Sequence, residues 1–385
     1  AVNSSVSLAN STVSGNTADK GTGGGINVSN SSVSLANSTV SGNYADNGWG
    51  GGISAGNNSN MSLTNSTVSG NSAYFTGGGI DANNSSISLV NSSVSNNSAT
   101  YSYNARGGGI YIYDNKLSLT NSTVSNNSAI SGGGIFATGY QDTGYSSVSL
   151  INSTVSYNSA DKDGGGIFAG DKSTVSLGNS TVSKNSASRG GGIYSRYYCS
   201  VSLVNSTMSN NSASTYGGGI YSQYDCNTSL VNSIISGNTG GSGAEIYNTS
   251  STLTAAHNNL FGHSSLTLAQ AFENFTPGAT DINATSGDDN IALSSILSTT
   301  LADNGCQQLA GAPSSAACVQ THALVSGSPA IDGADEAVCL GTDQKGKPRK
   351  DGMMMPIKTT TGNIAVVNLG DDYCDIGSVE FSSGD

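Results

Sequence analysis

The chain has 385 residues, of which 10% are charged and 35% hydrophobic, with 52 glycines and a formal net charge of −12. That balance offers no basic stripe for nucleic acid, and no apolar run approaches the ~20 residues that a membrane-spanning helix needs. The Ser, Asn and Gly content resembles that of disordered chains, but the apolar residues are strictly placed, and a disordered chain has no reason to put Ile after every Gly triplet.

The chain opens at Ala1, inside a repeat, as expected of a mature chain that has lost a signal peptide, or of a fragment. From there two landmarks recur. Asn-Ser-(Thr/Ser)-(Val/Met) begins at Asn10, Asn37, Asn65, Asn91, Asn121, Asn152, Asn179 and Asn205, with a weaker copy at Asn232. Gly-Gly-Gly-Ile ends at Ile26, Ile53, Ile80, Ile110, Ile135, Ile167, Ile193 and Ile220, and closes in the degenerate Gly243-Ala244-Glu245-Ile246. The spacing is 25 to 32 residues. Each unit carries Ser-Val-Ser-Leu (Val6, Leu8), a Thr-Val-Ser stretch (Val13) and a Gly-Ile stretch (Ile26). Alternation with period two predicts three short strands per unit and no helices.

One such unit cannot bury its own apolar face, whereas stacked units can. The expected fold is therefore all-β: a right-handed parallel β-helix of about nine coils over residues 1–250, then a terminal coil and a capping domain over 251–385. At ~4.8 Å per coil the rod would be about 43 Å long. Leu8, Leu35, Leu63, Leu89, Leu119, Leu150, Leu177, Leu203 and Leu230 are expected to form one interior column and the Ile residues another. Asn16, Asn43, Asn71, Asn97, Asn127, Asn158, Asn185, Asn211 and Asn238 are expected to bond one another in a ladder. The longer coils carry their extra residues at Tyr101–Arg106 or Thr138–Tyr145, on what is expected to be one rim.

The residue after each repeat Ile should point outward. Its last six occurrences are aromatic: Tyr111, Phe136, Phe168, Tyr194, Tyr221 and Tyr247. Exposed, they would form a stripe able to meet sugar rings or a partner subunit; the other reading is a self-stacked ladder covered by Tyr-rich loops (Tyr140, Tyr145, Tyr197, Tyr198, Tyr224). Asp161, Lys162, Asp163, Asp171, Lys172, Arg189 and Arg196 gather in neighbouring coils. Their alternating signs read as surface ion pairs and not as catalytic groups. Asp281, Asp288, Asp289, Asp371 and Asp372 offer oxygen ligands for calcium but read as solvated carboxylates. His257, His263 and His322 lack metal-ligand spacing, so neither metal nor cofactor is expected. The Asn-x-Ser/Thr sequons read as turn residues, since a glycan on every coil would collide with the next. The six cysteines, Cys199, Cys226, Cys306, Cys318, Cys339 and Cys374, lack zinc spacing and read as three disulfides, implying an oxidising compartment.

Gly-Gly-Gly-Ile with Asn-Ser-Thr-Val-Ser-x-Asn resembles the parallel β-helix repeats of bacterial surface proteins, including the polymorphic outer-membrane proteins and related adhesins, over residues 1–250. It departs from that family's Phe-x-x-Asn motif. Further on come Leu301–Gly305, Thr321–Leu324, Ser328–Asp332, Thr342–Arg349 and Cys374–Phe381. In order and sequence they resemble the choice-of-anchor Q domain, a module that follows secreted bacterial β-helices. The resemblance implies a secreted protein. The composition and the absence of clustered acids and bases lead us to expect a non-enzymatic structural or adhesive surface rod that stacks head to tail on copies of itself, with no nucleic-acid partner and no membrane insertion; a carbohydrate-binding or polysaccharide-degrading β-helix is the alternative.

Overall fold

The computed structural model describes residues 1–139, 144–304, 319–347, 349, 354–358, 364–368, 374–379 and 381, with Met354–Lys358 and Ile364–Asn368 placed by their backbone. The repeats wind into a parallel β-solenoid with four sheets along its axis. Ser5–Ala9 begins a ten-stranded sheet, Thr12–Ser14 an eleven-stranded one, Thr17–Asp19 an eight-stranded one and Ile26–Ser29 a second ten-stranded one. The first eight coils therefore have four strands and not the three expected. The missed strand carries one inward alanine per coil (Ala45, Ala73, Ala99, Ala129). In some coils it is only two residues long, as at Ser72–Ala73, too short for a period to be read.

Equivalent residues pair directly: Leu8 with Leu35, Leu177 with Leu203, Ile193 with Ile220. The Val, Leu and Ile columns thus form one continuous core. Leu35, Leu63, Leu89 and Leu119 are at most 1% exposed, and each such burial stabilises by about 2 kcal/mol. In the first coil Val6 and Leu8 are only partly covered.

Three of the four corners are sewn by polar ladders. At the corner after the Val/Leu strand, an Asn such as Asn37 or Asn65 adopts positive φ (48° and 49°). The following Ser accepts the N–H of its counterpart one coil back, as Ser66 Oγ does from Ser38 N at 3.1 Å. The sequon Asn is thus a left-handed turn residue. At the corner before the Val/Leu strand, Ser31, Ser59 and Ser85 make a second serine ladder. The third corner is the expected asparagine ladder. Asn43 Nδ2 donates to Asn71 Oδ1 at 2.9 Å, and the same bond recurs at 2.9–3.0 Å from Asn16 to Asn238.

The fourth corner is the Gly triplet. Only its first glycine takes positive φ, as Gly107 does at 65°; the other two face neighbouring backbone. The two long insertions flank the Ile sheet at different corners, Tyr101–Arg106 before it and Thr138–Tyr145 after it, so the single rim expected from the sequence is two.

Cys199 and Cys226 form a disulfide between adjacent coils, their Cα atoms 4.5 Å apart. They occupy consecutive rungs of the serine ladder that begins at Ser31: Cys226 is followed by Ser251, whose Oγ accepts its N–H. Cys339 and Cys374 form a second disulfide. Cys306 and Cys318 lie outside the described residues.

Parallel pairing runs on through Thr252–His257, Leu260–Phe261 and Ile282–Asn283. Phe261, Ala271 and Phe272 close the end of the core, with Phe275 packed against it. These end-closing residues belong to the 251–385 segment expected to cap the solenoid; the later part of that segment is not stacked on the end. Its described residues lie lengthwise along the Thr-Val-Ser sheet: Thr154 Oγ1 donates to the Gln320 carbonyl, Gln344 Nε2 to the Ser153 carbonyl, and Arg349 Nη2 to Asn179 Oδ1. Met354–Lys358 and Ile364–Asn368 form an antiparallel hairpin.

Candidate functional site

The six aromatic residues of the stripe do stack in register. Ring centroids lie 5.5 Å apart from Tyr111 to Phe136, 4.3 Å to Phe168, 5.2 Å to Tyr194, 4.9 Å to Tyr221 and 5.0 Å to Tyr247. Their exposure is not as expected. Phe136, Phe168, Tyr194 and Tyr221 are buried, and Tyr111 and Tyr247 only partly covered. Side chains from the strand and loop before each Gly triplet fold over the rings. Arg106 lies 5.2 Å above Phe136 and Arg189 5.6 Å from Tyr194, while Tyr216 packs on Tyr221 and Tyr247. Tyr194 donates its hydroxyl to Gln223 Oε1 at 2.6 Å. Burial raises the phenol pKa along the row, to about 12 at Tyr111 and Tyr221. The stripe is thus a second, outer core and not a binding platform. Its cover comes from arginines and Tyr216. Tyr197 and Tyr224 stack on each other elsewhere, Tyr145 and Tyr198 are exposed, and Tyr140 lies outside the described residues.

The charged group contains one ion pair and two cations set over aromatic rings. Arg189 grips Asp163 with two bonds, Nε to Oδ1 at 2.6 Å and Nη2 to Oδ2 at 3.0 Å, which engages both carboxylate oxygens. Arg196 and Lys172 lie over Tyr197 and Tyr145. Asp281 accepts from Asn259 Nδ2 at 3.0 Å and from Gly278 N at 2.7 Å, and Asp288 from Asn283 Nδ2 at 2.6 Å; both serve as turn acceptors. Asp371 and Asp372 lie outside the described residues, as does the His257 side chain. Among the described residues no three His, Cys, Asp or Glu groups converge as metal ligands would. His322 joins the C-terminal segment to the solenoid through Ser183 Oγ and the Ser298 carbonyl, both at 2.7 Å, and burial lowers its pKa to about 4.

Two features escaped sequence reasoning. The first is an aromatic cluster beside the first insertion. Trp49 stacks on Phe75 at 5.6 Å, and Tyr74 lies parallel to Tyr101 at 6.2 Å, with Tyr44 edge-on. Trp49 is 46% exposed and Tyr101 60%. These residues share no repeat position, so no motif announced them.

The second is the end of the asparagine ladder. Where the next coil would supply an Asn, Glu245, which replaces the third glycine of the last triplet, swings in. It accepts from Asn238 Nδ2 at 2.6 Å and from the N–H groups of Gly237 and Asn238 at 2.9 and 3.3 Å. Full burial outweighs these bonds and lifts its pKa from 4.5 to about 8; the facing group is His263, Nδ1 at 3.8 Å, whose own pKa burial lowers. A carboxyl raised in the folded state stabilises below its unfolded value and ceases to do so as pH rises through the folded one. The loss runs from the unfolded value to the folded one, so the melting temperature should fall up to about pH 8 and level off above it; Asp81, raised to about 7, and His322 act lower, which leaves the step from pH 7 to pH 8 to Glu245. Glu245→Gln should flatten that slope. A wild-type melting temperature constant over this window would refute the assignment.

Two adjoining stretches, residues 2–143 and 143–266, match the family model described as right handed beta helix region. No curated protein matches the chain.

Proposed function

The chain belongs to the right-handed β-helix family, and from that premise we propose that it is a secreted, non-enzymatic structural rod that adheres through its flank. The carrying observation is where the repeat spends its chemistry. Asn and Ser at three corners of successive coils are consumed in ladders along the axis, and the aromatic row is sealed under its own side chains. Asp163 is held by Arg189, which supports a structural and not a catalytic role. The exposed Trp49 and Tyr101 cluster supports the adhesive part, since contiguous exposed aromatic surface marks contacts. Two disulfides support an oxidising, extracellular setting, as does the resemblance of the C-terminal segment to secreted modules. Pairing of like with like from coil to coil is a contact that a second copy can repeat, which supports head-to-tail stacking.

Natively isolated protein, viewed by electron microscopy and fractionated, should be extracellular and rod-shaped, alone or in filaments. It should not degrade polygalacturonate. An intracellular globular particle, or turnover lost in Asp163→Ala or Asp171→Ala, would overturn the reading.

A further inference from the structure

We propose that the Cys339–Cys374 disulfide is a thiol-exchange site, at which a low-molecular-weight thiol becomes covalently attached to Cys339. The solenoid prepares the site with a turn residue. Asn179, Asn205 and Asn232, the turn asparagines of the seventh to ninth coils, take positive φ of 46°, 46° and 47° and direct their amides at the C-terminal segment. Asn179 and Asn232 donate to the carbonyls of Thr342 and Asp335. Asn205 lies between them, fully buried, and meets sulfur instead. Its Nδ2 is 3.7 Å from Cys339 Sγ and 3.6 Å from Cys374 Sγ. Its Oδ1 has no partner. A disulfide has no proton to give it, whereas a thiol is a donor, so this amide is better served once the bond is open.

The C-terminal segment supplies a charge. Arg349 is buried, and its Nη1 lies 3.6 Å from Cys374 Sγ. The guanidinium is fixed there by the Asp375 carbonyl at 2.9 Å from Nη1, and by the Gly377 carbonyl and Asn179 Oδ1 at 2.7 and 3.3 Å from Nη2. A cation held against sulfur favours the thiolate over the thiol. It therefore stabilises the reduced state and makes Cys374 the better leaving group in exchange. The nearby carboxylates oppose this from further along the backbone. Glu336 accepts the Cys374 N–H at 3.0 Å, and Asp375 accepts the N–H groups of Asp332 and Phe381, whereas Arg349 touches the sulfur itself.

Access selects the sulfur that is attacked. Cys374 is 3% exposed, while Cys339 is half-buried and follows the exposed Val338. An incoming thiol gives its proton to solvent, and its thiolate attacks Cys339 Sγ. A bond forms between these two sulfurs as the Cys339–Cys374 bond breaks, and the electron pair leaves on Cys374 Sγ, opposite Arg349. The incoming sulfur is oxidised to a mixed disulfide and Cys374 is reduced. A second thiol can then remove the first as its own disulfide, leaving two free cysteines. The Cys199–Cys226 bridge is built otherwise. Both its cysteines are buried in a serine ladder, at 3% and 1% exposure, and among the described residues no charged side chain is bonded to their sulfurs.

The test is exchange of the full oxidised chain with reduced glutathione, quenched with acid and mapped by alkylation and mass spectrometry. Cys339–Cys374 should open about tenfold or more faster than Cys199–Cys226, with glutathione on Cys339 and the alkyl label on Cys374. Arg349→Gln should slow that opening about fivefold, and Arg349→Lys, which keeps the charge, should restore part of the rate. In Cys339→Ser, where Arg349 is intact, the ultraviolet absorbance of the Cys374 thiolate should titrate below the ordinary thiol value of ~8.5. If Arg349→Gln loosens the segment and speeds opening instead, that titration decides. Opening of both disulfides at one rate, glutathione found on Cys374, or a Cys374 midpoint at or above ~8.5 would overturn the proposal.

Discussion

Asn127→Ala is expected to lower the stability of the solenoid by roughly 4 kcal/mol or more, taking about 1–3 kcal/mol for each buried polar group left unpaired. In the middle of its ladder Asn127 makes four bonds. Its Oδ1 accepts from Asn97 N at 2.9 Å and Asn97 Nδ2 at 3.0 Å, and its Nδ2 donates to the Val94 carbonyl at 3.0 Å and to Asn158 Oδ1 at 2.9 Å. Alanine removes all four and takes partners from groups in the coils on either side, leaving Asn97 N without its acceptor, where no water replaces them because Asn97, Asn127 and Asn158 are each 1% exposed. Asn16 is the internal control. It occupies the first rung, is exposed and keeps solvent as a partner, so Asn16→Ala should cost about 1 kcal/mol or less. Urea midpoints of the two variants decide the matter. Similar shifts would mean that the ladder does not act as a buried network.

The fold was legible because a solenoid writes its core as a column. Leu8 through Leu230 recur at one place in each repeat, and pairing of like with like comes from that recurrence. The asparagine ladder was legible for the same reason. The fourth strand was not, because Ala73 and Ala99 give a single small inward residue after a Ser, a pattern shared with turns. Stacking of the aromatic row could be read from register, and a covered ladder was one of its two readings, but what covers it could not be read. The cover over Phe136 and Tyr194 is Arg106 and Arg189, long side chains from a different strand, whose reach no spacing reveals. Polar and insertion-borne features stayed hidden altogether. Trp49 meets Phe75, and Tyr101 meets Tyr74, only because one coil's loop lies over the next. Asn115 is a one-residue departure in a serine ladder that becomes visible once the rungs are aligned in space, and Glu245 is visible as a lapse in the Gly triplet but not as a ladder terminus.

Gly108→Ala is expected to cost about 3 kcal/mol or more, at or above the upper end of the ordinary cost of overpacking. The middle glycine of each triplet does not owe its identity to backbone freedom, since only the first, Gly107, has positive φ. It is glycine because two other stretches of backbone press against its Cα. A Cβ there would collide with the Ser128 carbonyl and lie 2.6 Å from the Gly133 oxygen. Neither atom belongs to a movable side chain. Ser128 lies in the Ala sheet of the following coil, and Gly133 is the next triplet's own middle glycine, so both carbonyls are fixed by the winding. Relief would require parting two coils, breaking Gly108 N to Gly132 O and Gly109 N to Gly133 O, both at 3.1 Å. The same contact recurs at Gly133 and Gly165, so the damage should not depend on which coil is chosen. Gly21→Ala separates this cause from a general dislike of alanine in loops. Gly21 has no such backbone contact, its nearest neighbour being the Ala18 Cβ at 3.5 Å, and the change should shift the melting temperature by no more than a degree or two, as surface substitutions do. If Gly108→Ala melts with Gly21→Ala, the coils are free to spread at this corner, and the triplets must then be explained by something other than the closeness of successive turns.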